Sequence, residues 1–466
     1  MKQRAGRAGR TSSGTCWRLY SEEFANTELL NSTMPEMART PLDELVLQIG
    51  LLFEQRRDEY NRNSVNESRA IQRPFAPGFK PIKFLSNTPT PPAERSLIQA
   101  CTHLMEVEAI RVVDGTDGEQ LYRLTPLGYH LSRLPMDAKV GKMLIIGCVL
   151  GCLDNALTIA AALSCTKSCF LSVGGGHNRN IDTSSIEARD DLIEHGFGGS
   201  SWSGGTVKGD LIAVVAAYRA WSKEKHHQRE KFCRCHALNS MTLRDMDTLR
   251  FLGLMIDAGL VPQNNDSSDI DDCNIANKDA LLTSCCIVGG LYPNIATLIR
   301  PTSPKGGGKL LTNDSKDTCR PSSSSFQRTR VQRASKSGTD AYAVFHSKHR
   351  SLGTSTPGNK RPPETFLSEV NFVSKFALIL FGGELELVKN AIIVDKWLKF
   401  KVSSDDESGS GAKGNAVLIL TLRELLDRVI LEHVVETFLS PEDKTKMIDR
   451  HSRIIKVVRM ILSDEG

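Results

Sequence analysis

Residues 3–10 read QRAGRAGR, the densest run of arginine and glycine in the chain. Arg7 and Arg10 stand three residues apart, so on a helical turn they would project from the same side. A guanidinium group stays charged and binds phosphate oxygens through paired donors. The string therefore predicts phosphate binding, either by arginine fingers aimed at a nucleotide or by a basic, glycine-rich tail that holds RNA loosely.

The bulk composition narrows the class of protein only a little. The chain has 466 residues, 40% hydrophobic and 24% charged, with a formal net charge of +5. This length allows three or four domains, and the small basic excess alone favours nucleic acid only weakly. No secretory signal or membrane span is expected, and twelve cysteines in mostly apolar stretches predict reduced thiols in the nucleus or cytoplasm.

The first 137 residues divide into three predicted parts. Residues 1–58 hold the arginine string, a short strand at 16–20 (CWRLY) and a helix over 41–56. Residues 59–82, rich in Asn, Arg and Pro, are predicted to be a linker or insertion. Residues 83–137 predict a helix opened at Thr90-Pro91-Pro92, a hairpin of 110–113 with 120–124, and a second helix beginning at Thr125-Pro126. This succession suggests a winged helix.

The remainder predicts a helical domain, a β-rich domain and two closing helices. Residues 138–262 are helical in pattern, with a loose insertion at 171–208. Residues 281–402 are predicted to be β-rich from near Cys285, interrupted by 301–340, where eight Lys and Arg stand against three Asp. That interruption predicts a disordered basic loop, either touching RNA phosphates or simply solvated. In 415–466, Thr421 and Glu424 fit a capping box, and Ser440-Pro441 begins a last helix.

Several of these motifs, taken in order, resemble the C-terminal portion of DEAH-box (DEAH/RHA) RNA helicases. The string at 3–10 resembles their motif VI, and 124–128 (LTPLG) resembles their winged-helix boundary. Residues 290–296 (GLYPNIA) look like the start of their OB-fold, and 380–383 (LFGG) resembles a later strand of it. The matches are collinear and cover nearly the whole chain.

The resemblance implies a mainly α fold with β: the end of a RecA-like lobe, a winged helix, a helical ratchet domain, an OB-fold and C-terminal helices. It implies that Gln3, Arg7 and Arg10 face ATP, with Arg7 and Arg10 as catalytic fingers. ATP and Mg would bind only together with the RecA-like lobes. The implied partner is single-stranded RNA without sequence preference, and a protein activator or a ribonucleoprotein complex is a further partner of the family.

The sequence also departs from the family pattern. It contains no G-x-x-x-x-G-K-[ST] string and no D-E-x-H quartet, so the chain is expected to be inactive alone, with Met1 lying inside a longer protein. Ser168-Cys169-Phe170 stands where the family has Ser-Pro-Phe, and Ser368 stands where many members carry a basic residue. One expected RNA contact is therefore in doubt.

Two alternatives stay open. The pairs Cys148/Cys152 and Cys165/Cys169, and the group near Cys233, have spacings compatible with zinc, but their apolar surroundings favour core packing and no metal site is expected. The competing function is a non-catalytic RNA-binding or adaptor protein built from the winged-helix and OB modules alone.

Overall fold

The computed structural model describes residues 5–9, 11–28, 35–66, 78–115, 119–171, 182–195, 209–249, 252–257, 260–261, 273–299, 308–313, 318–328, 331, 341–351, 355–356, 359–360, 363–388, 391–402, 410–435 and 441–463. Its helices are α1 (Glu22–Thr27), α2 (Asp43–Asn66), α3 (Pro81–Leu85), α4 (Glu94–Glu106), α5 (Pro126–Leu131), α6 (Ala138–Val149), α7 (Leu153–Ser164), α8 (Thr183–His195), α9 (Asp210–Lys223), α10 (Arg229–Cys235), α11 (Ser240–Thr248), α12 (Leu252–Asp257), α13 (Ala280–Leu291), α14 (Lys375–Phe381), α15 (Ser410–Val435) and α16 (Pro441–Ser463). Its strands are β1 (Ile110–Asp114), β2 (Gln120–Leu124), β3 (Ile295–Ile299), β4 (Lys309–Thr312), β5 (Thr318–Pro321), β6 (Tyr342–Val344), β7 (Ser347–Arg350), β8 (Ser355–Thr356), β9 (Asn359–Lys360), β10 (Thr365–Ser368), β11 (Asn371–Val373), β12 (Leu385–Val388), β13 (Ala391–Val394) and β14 (Leu398–Lys401).

The first compact unit joins α2, α4, the β1–β2 hairpin and α5. The two strands pair antiparallel with Ile110 opposite Leu124. Thr125 caps α5, since its Oγ1 accepts a hydrogen bond from Gly128 N at 3.0 Å, and Pro126 occupies the first helical position. Both features follow from local turn and cap chemistry, and they confirm the predicted hairpin and helix start.

The centre of the molecule is helical. Met143 and the residues after it on α6 are fully buried against α13. The two helices approach closely because Gly290 has no side chain: a Cβ there would lie 2.3 Å from Met143 Cβ. A second apolar cluster, around the buried Trp221 of α9, includes residues of α7, α8, α10 and α11. The cysteines buried in this second cluster are Cys169 and Cys233.

The largest sheet has seven strands in the order β11-β6-β3-β4-β5-β10-β7. All neighbours pair antiparallel except β5 and β10, which are parallel. One face covers a small core in which Leu310, Cys319 and Leu367 are fully buried. A separate three-stranded antiparallel sheet, β12-β13-β14, follows α14, and α15 packs against α5, α6, α14 and α16. The predicted mixture of helices and sheets is confirmed.

Two sequence-based expectations about the first half of the chain are wrong, and the predicted start of one helix that does form is early by a few residues. No strand forms at 16–20, where Trp17 and Leu19 are 86% and 99% exposed, because a lone strand has no neighbour for its backbone groups. The proposed linker 59–82 begins inside α2, which runs to Asn66, and later contains Phe79, buried and paired with Tyr122. The helix expected from Thr90-Pro91-Pro92 begins at Glu94.

Three further expectations are wrong in the second half. The loose insertion 171–208 contains α8, and the β-rich region does not begin near Cys285, because that residue lies in the buried helix α13. The interruption 301–340, expected to be disordered, contains β4 and β5, along which every second residue is buried, as in a strand with one face on a core.

Two smaller corrections concern the C-terminal quarter. Residues 380–383 do not form a strand: Leu380 and Phe381 end α14, and Gly382 caps it. Thr421 does not begin a helix, since α15 starts at Ser410 and the Thr421 hydroxyl donates to Val417 O within it. The last helix does begin at Pro441, as predicted. In the described ranges, no helix combines the length and apolar character that crossing a membrane requires.

Candidate nucleic-acid interface

The arginine string is described only in part. Ala5–Gly9 form a turn closed by a hydrogen bond from Ala8 N to Ala5 O at 3.1 Å, and Arg7 is exposed on it. Gly14 folds back so closely that a Cβ there would lie 2.2 Å from Ala8 O. Gln3 and Arg10 lie outside the described residues. The turn therefore presents the Arg7 side chain to solvent, where an anion could reach it.

A second basic feature is the exposed face of the β5-β10-β7 part of the large sheet. In the strand register Phe366 stands directly opposite Arg320 on β5 and His349 on β7. Side chains directly opposite one another share a face of the sheet, so the half-buried Phe366 ring is flanked by a basic side chain on each side. We call this set, Arg320, Phe366 and His349, the basic-aromatic face. Its pattern suits nucleic acid, because bases stack on aromatic rings while cations contact phosphates.

Ser368 lies on the same side, two residues beyond Phe366. Its Oγ lies 2.8 Å from Nε2 of His349, so the serine fixes the orientation of the imidazole. Position 368 thus carries a serine in place of a basic residue, but the imidazole of His349 on the neighbouring strand lies beside it. Glu364 offsets part of the charge through an ion pair with Arg320 at 3.2 Å, but both partners are over two-fifths exposed, so the pair is weak.

Beyond the basic-aromatic face the pairing of β7 with β10 continues by one more residue pair. Ser351 N donates to Glu364 O at 2.8 Å, Glu364 N donates to Ser351 Oγ at 3.0 Å, and β8 pairs with β9 farther along. On β7 itself, Lys348 Nζ donates to Thr312 Oγ1 at 3.1 Å, while Arg350 at the strand end is exposed. The hydrogen bonds between Ser351 and Glu364 thus extend the β7–β10 pairing past the ends of the two strands.

Lys139 and His346 lie where the helical centre meets the sheet. Lys139 Nζ is 3.4 Å from Asn294 Oδ1, and Asn294 Nδ2 donates to His346 O at 2.9 Å. Burial lowers the pKa of Lys139, although Asp137 and other carboxylates oppose this. Burial also lowers the pKa of His346, and the nearby Lys139 cation adds to the effect. Both shifts therefore act against a positive charge at this junction.

The cysteines behave as core residues. Cys148, Cys152, Cys169, Cys233, Cys285 and Cys286 are buried, Cys165 and Cys273 are half-buried, and only Cys16 and Cys235 of the twelve are exposed. Burial raises the pKa of Cys169, and burial and neighbouring thiols raise that of Cys286. Among the described residues, no group of three or more His, Cys, Asp or Glu is arranged to hold a metal ion.

Sequence reasoning singled out Ser368 but missed Arg320, His349 and Phe366. The three come from strands separated in sequence by up to 46 positions, and only the strand register brings them together. Arg320 in particular lies in the segment that was expected to be disordered. A period-two alternation in 318–321 was the one local signal for β5.

Comparison with known proteins shows what the chain is similar to. A profile of the helicase associated domain (HA2), ratchet-like, matches residues 137–241, which span α6 to the start of α11. Along its length the chain is also similar to proteins named as RNA helicases. The DExH-box ATP-dependent RNA helicase DExH4, chloroplastic, of Arabidopsis thaliana is 28% identical over 100% of this chain and 30% of its own length. The resemblance to DEAH-box RNA helicases is confirmed.

Two more proteins named as helicases are similar to this chain over nearly its whole length. The putative ATP-dependent RNA helicase DHX57 of Mus musculus is 27% identical over 99% of this chain and 31% of its own length. The ATP-dependent DNA/RNA helicase DHX36 of Bos taurus is 28% identical over 94% of this chain and 36% of its own length. The chain thus spans about a third of the length of these relatives.

Proposed function

We propose that this chain is the RNA-binding and arginine-bearing portion of an ATP-dependent DEAH-box RNA helicase. The single observation that carries the RNA-binding part is the basic-aromatic face, with Phe366 between Arg320 and His349. It lies in a chain similar throughout its length to helicases. Stacking and phosphate contact need no base-specific hydrogen bonds, so the binding is expected to tolerate any sequence of single-stranded RNA.

The proposal assigns roles to the architectural units. The unit of α4, β1, β2 and α5 is assigned as a winged helix, and the sheet of β3 to β7, β10 and β11 as the OB-type module. Between them, α6 to α13 include the segment matched by the ratchet-like domain. These units would form one wall of an RNA-binding channel, and the basic-aromatic face would line part of that wall.

The arginine string is assigned to ATP. Arg7 is exposed on its turn, which suits a guanidinium that acts on a nucleotide held by another part of a larger protein. Arg10 would act beside it as a second finger, with Gln3 contacting the same nucleotide. ATP and Mg would supply the phosphoryl group and the charge neutralisation that this chemistry needs. Joining this RNA-binding portion to the ATP-binding part of a larger protein would couple hydrolysis to movement along RNA.

The RNA-binding part is tested by titrating the chain with labelled single-stranded oligonucleotides of several sequences at several salt concentrations. Phe366→Ala is expected to weaken binding by about 1–3 kcal/mol, since it removes one stacking platform. Arg320→Gln is expected to weaken binding for every sequence and to lower the log–log salt slope by roughly 0.7, the value of one phosphate contact on a single strand.

The matched control is Arg244→Gln. Arg244 is an exposed arginine paired with Glu230 at 3.0 Å, much as Arg320 pairs with Glu364, but it lies on α11 among the helices. Its replacement should leave affinity and slope unchanged. Equal effects of the two arginine changes would mean that binding follows overall charge and not this face. Tight, salt-insensitive, sequence-selective binding would favour the adaptor function instead.

A further inference from the structure

The segment 322–328, which we call the strap, joins the large sheet to the helices. It continues directly from β5, which is parallel to β10, and Ser322 N extends that pairing by donating to Leu367 O at 2.8 Å. The strap therefore moves with β10, the strand that carries Phe366 and Ser368. Its first residues belong to the sheet, and its later residues do not.

At its far end the strap packs into the helical cluster. The Phe326 ring meets the Phe170 ring edge-on at 4.5 Å between centroids, and the Arg189 guanidinium lies 4.7 Å from the centre of the Phe326 ring. Phe170 and Arg189 are both buried, and Phe170 belongs to the cluster around Trp221. The phenyl ring thus anchors the strap to α8 and to the segment after α7.

The buried carboxyl group of Asp210 joins the strap to the segment that follows β10. Asp210, the first residue of α9, accepts a hydrogen bond from Phe326 N on Oδ1 at 3.0 Å and from Val370 N on Oδ2 at 2.9 Å. Val370 follows β10, so the same side chain binds the strap and the end of β10. The backbone reinforces the link, because Asp210 N donates to Val370 O at 3.0 Å and Leu211 N donates to Asn371 Oδ1 at 2.9 Å.

We propose that Asp210 is a positioning residue for nucleic-acid binding: by holding the strap and the end of β10 together, it sets the basic-aromatic face relative to the helices. This rests on the proposed RNA-binding function of that face. Asp210 touches no ligand itself. Loosening it would leave Arg320, Phe366 and His349 in the sheet but would let the sheet turn against the helical wall, so that one strand of RNA no longer meets both.

The raised pKa of Asp210 makes this arrangement dependent on pH. Burial raises the pKa of Asp210 to about 8, the Glu369 carboxyl adds to the rise, and hydrogen bonds from Ser325, Val370 and Phe326 oppose it. Burial raises the pKa of Glu369 as well. The other described titratable groups around this point are Cys169, whose pKa Glu369 helps to raise, and the Arg189 cation over the Phe326 ring.

The direction of the pH effect follows from the raised pKa. The closed arrangement holds a proton on Asp210 up to about pH 8, whereas an opened, solvated Asp210 loses it near its ordinary value of 3.8. The stability contributed by this proton is fully present below that ordinary value and is lost progressively as pH rises through about 8. Binding that depends on the closed arrangement should weaken in the same direction.

The first test replaces Gly209 and leaves Asp210 intact. A Cβ at Gly209 would lie 2.3 Å from Asn371 Oδ1, so Gly209→Ala should push the start of β11, and with it the β10–β11 connection at Val370, away from α9. Affinity of the full chain for a single-stranded oligonucleotide is expected to fall roughly three- to thirtyfold, with faster amide hydrogen exchange in β7 and β10. The control is Gly253→Ala, where an added Cβ meets nothing within 4 Å. Unchanged affinity in Gly209→Ala would overturn the inference, whereas a wild-type chain that binds no RNA would defeat the proposed function itself.

The second test covers the case in which Gly209→Ala does not fold. Asp210→Asn cannot ionise, but its amide nitrogen cannot accept the hydrogen bond from either Phe326 N or Val370 N, so its affinity at pH 6 should already lie below that of the wild type. Between pH 6 and pH 8.5 the wild-type affinity should fall several-fold more than that of Asp210→Asn. Because both proteins contain the same histidines, histidine titration does not contribute to this difference. If Asp210 contributed to stability alone, the substitution would lower affinity by the same factor at every pH, and the two plots of affinity against pH would be parallel. Parallel profiles would therefore overturn the proposal.

Discussion

Arg7→Ala and Arg10→Ala are each expected to slow ATP hydrolysis by about three or more orders of magnitude in a longer protein that joins this chain to a phosphate loop and a D-E-x-H motif. The reason is electrostatic: a finger stabilises charge on the transferring phosphoryl group only in the transition state, so its loss acts on turnover. Binding of RNA and thermal stability should change little, because Arg7 is exposed on its turn. The measurement is steady-state hydrolysis at saturating RNA.

The control for this experiment is Arg18→Ala. Arg18 is an exposed arginine in the same N-terminal segment, outside the QRAGRAGR string. Its loss removes the same charge and should leave turnover within about twofold. If all three variants hydrolysed ATP at the wild-type rate, the string would be a basic tail and the finger assignment would be wrong.

Gly290→Ala is expected to destabilise the chain by about 1–2 kcal/mol. The added Cβ would lie 2.3 Å from Met143 Cβ and 3.0 Å from Met143 Cα, and Met143 is completely buried. No rotamer change relieves a contact with Cα and Cβ, so α6 and α13 must move apart, and overpacking of this kind typically costs about 1–3 kcal/mol. Alanine's better helix propensity returns about 1 kcal/mol at most.

The matched control is again Gly253→Ala, because Gly253 is a helical glycine with open space around it. That change should be neutral or slightly stabilising, by at most about 1 kcal/mol. The two variants are compared by thermal and denaturant unfolding. Equal stability of both would show that α6 and α13 can separate without loss, and the close helix packing would then contribute little.

Local chemistry decided which parts of the fold could be predicted. The β1–β2 hairpin and the α5 start at Thr125 were accessible because turn residues, a cap hydroxyl and a first-turn proline act within a few positions of one another. The helix over 280–291 was missed because it is buried all round and shows no polar face, so its periodicity resembles that of a buried strand.

The candidate site was less accessible than the fold. The string at 3–10 was visible because its chemistry lies in eight consecutive residues. The basic-aromatic face depends on a parallel pairing of β5 with β10. Parallel strands are not joined by a tight turn, so the sequence between them contains no turn motif that would predict the pairing. Asp210 carries no local sequence signal beyond that of an acidic residue at a helix start, because the long-range partners that bury it are set by packing.

The distribution of cysteine exposure makes this protein convenient for single-molecule fluorescence. Because the maleimide reaction needs an accessible thiolate, dyes should attach first at Cys16 and Cys235, one beside the arginine turn and the other at the end of α10. Cys165 is half-buried, and burial raises its pKa, so it should label far more slowly. A donor and an acceptor could thus report the distance between the N-terminal segment and the helical centre without removing any of the ten other cysteines.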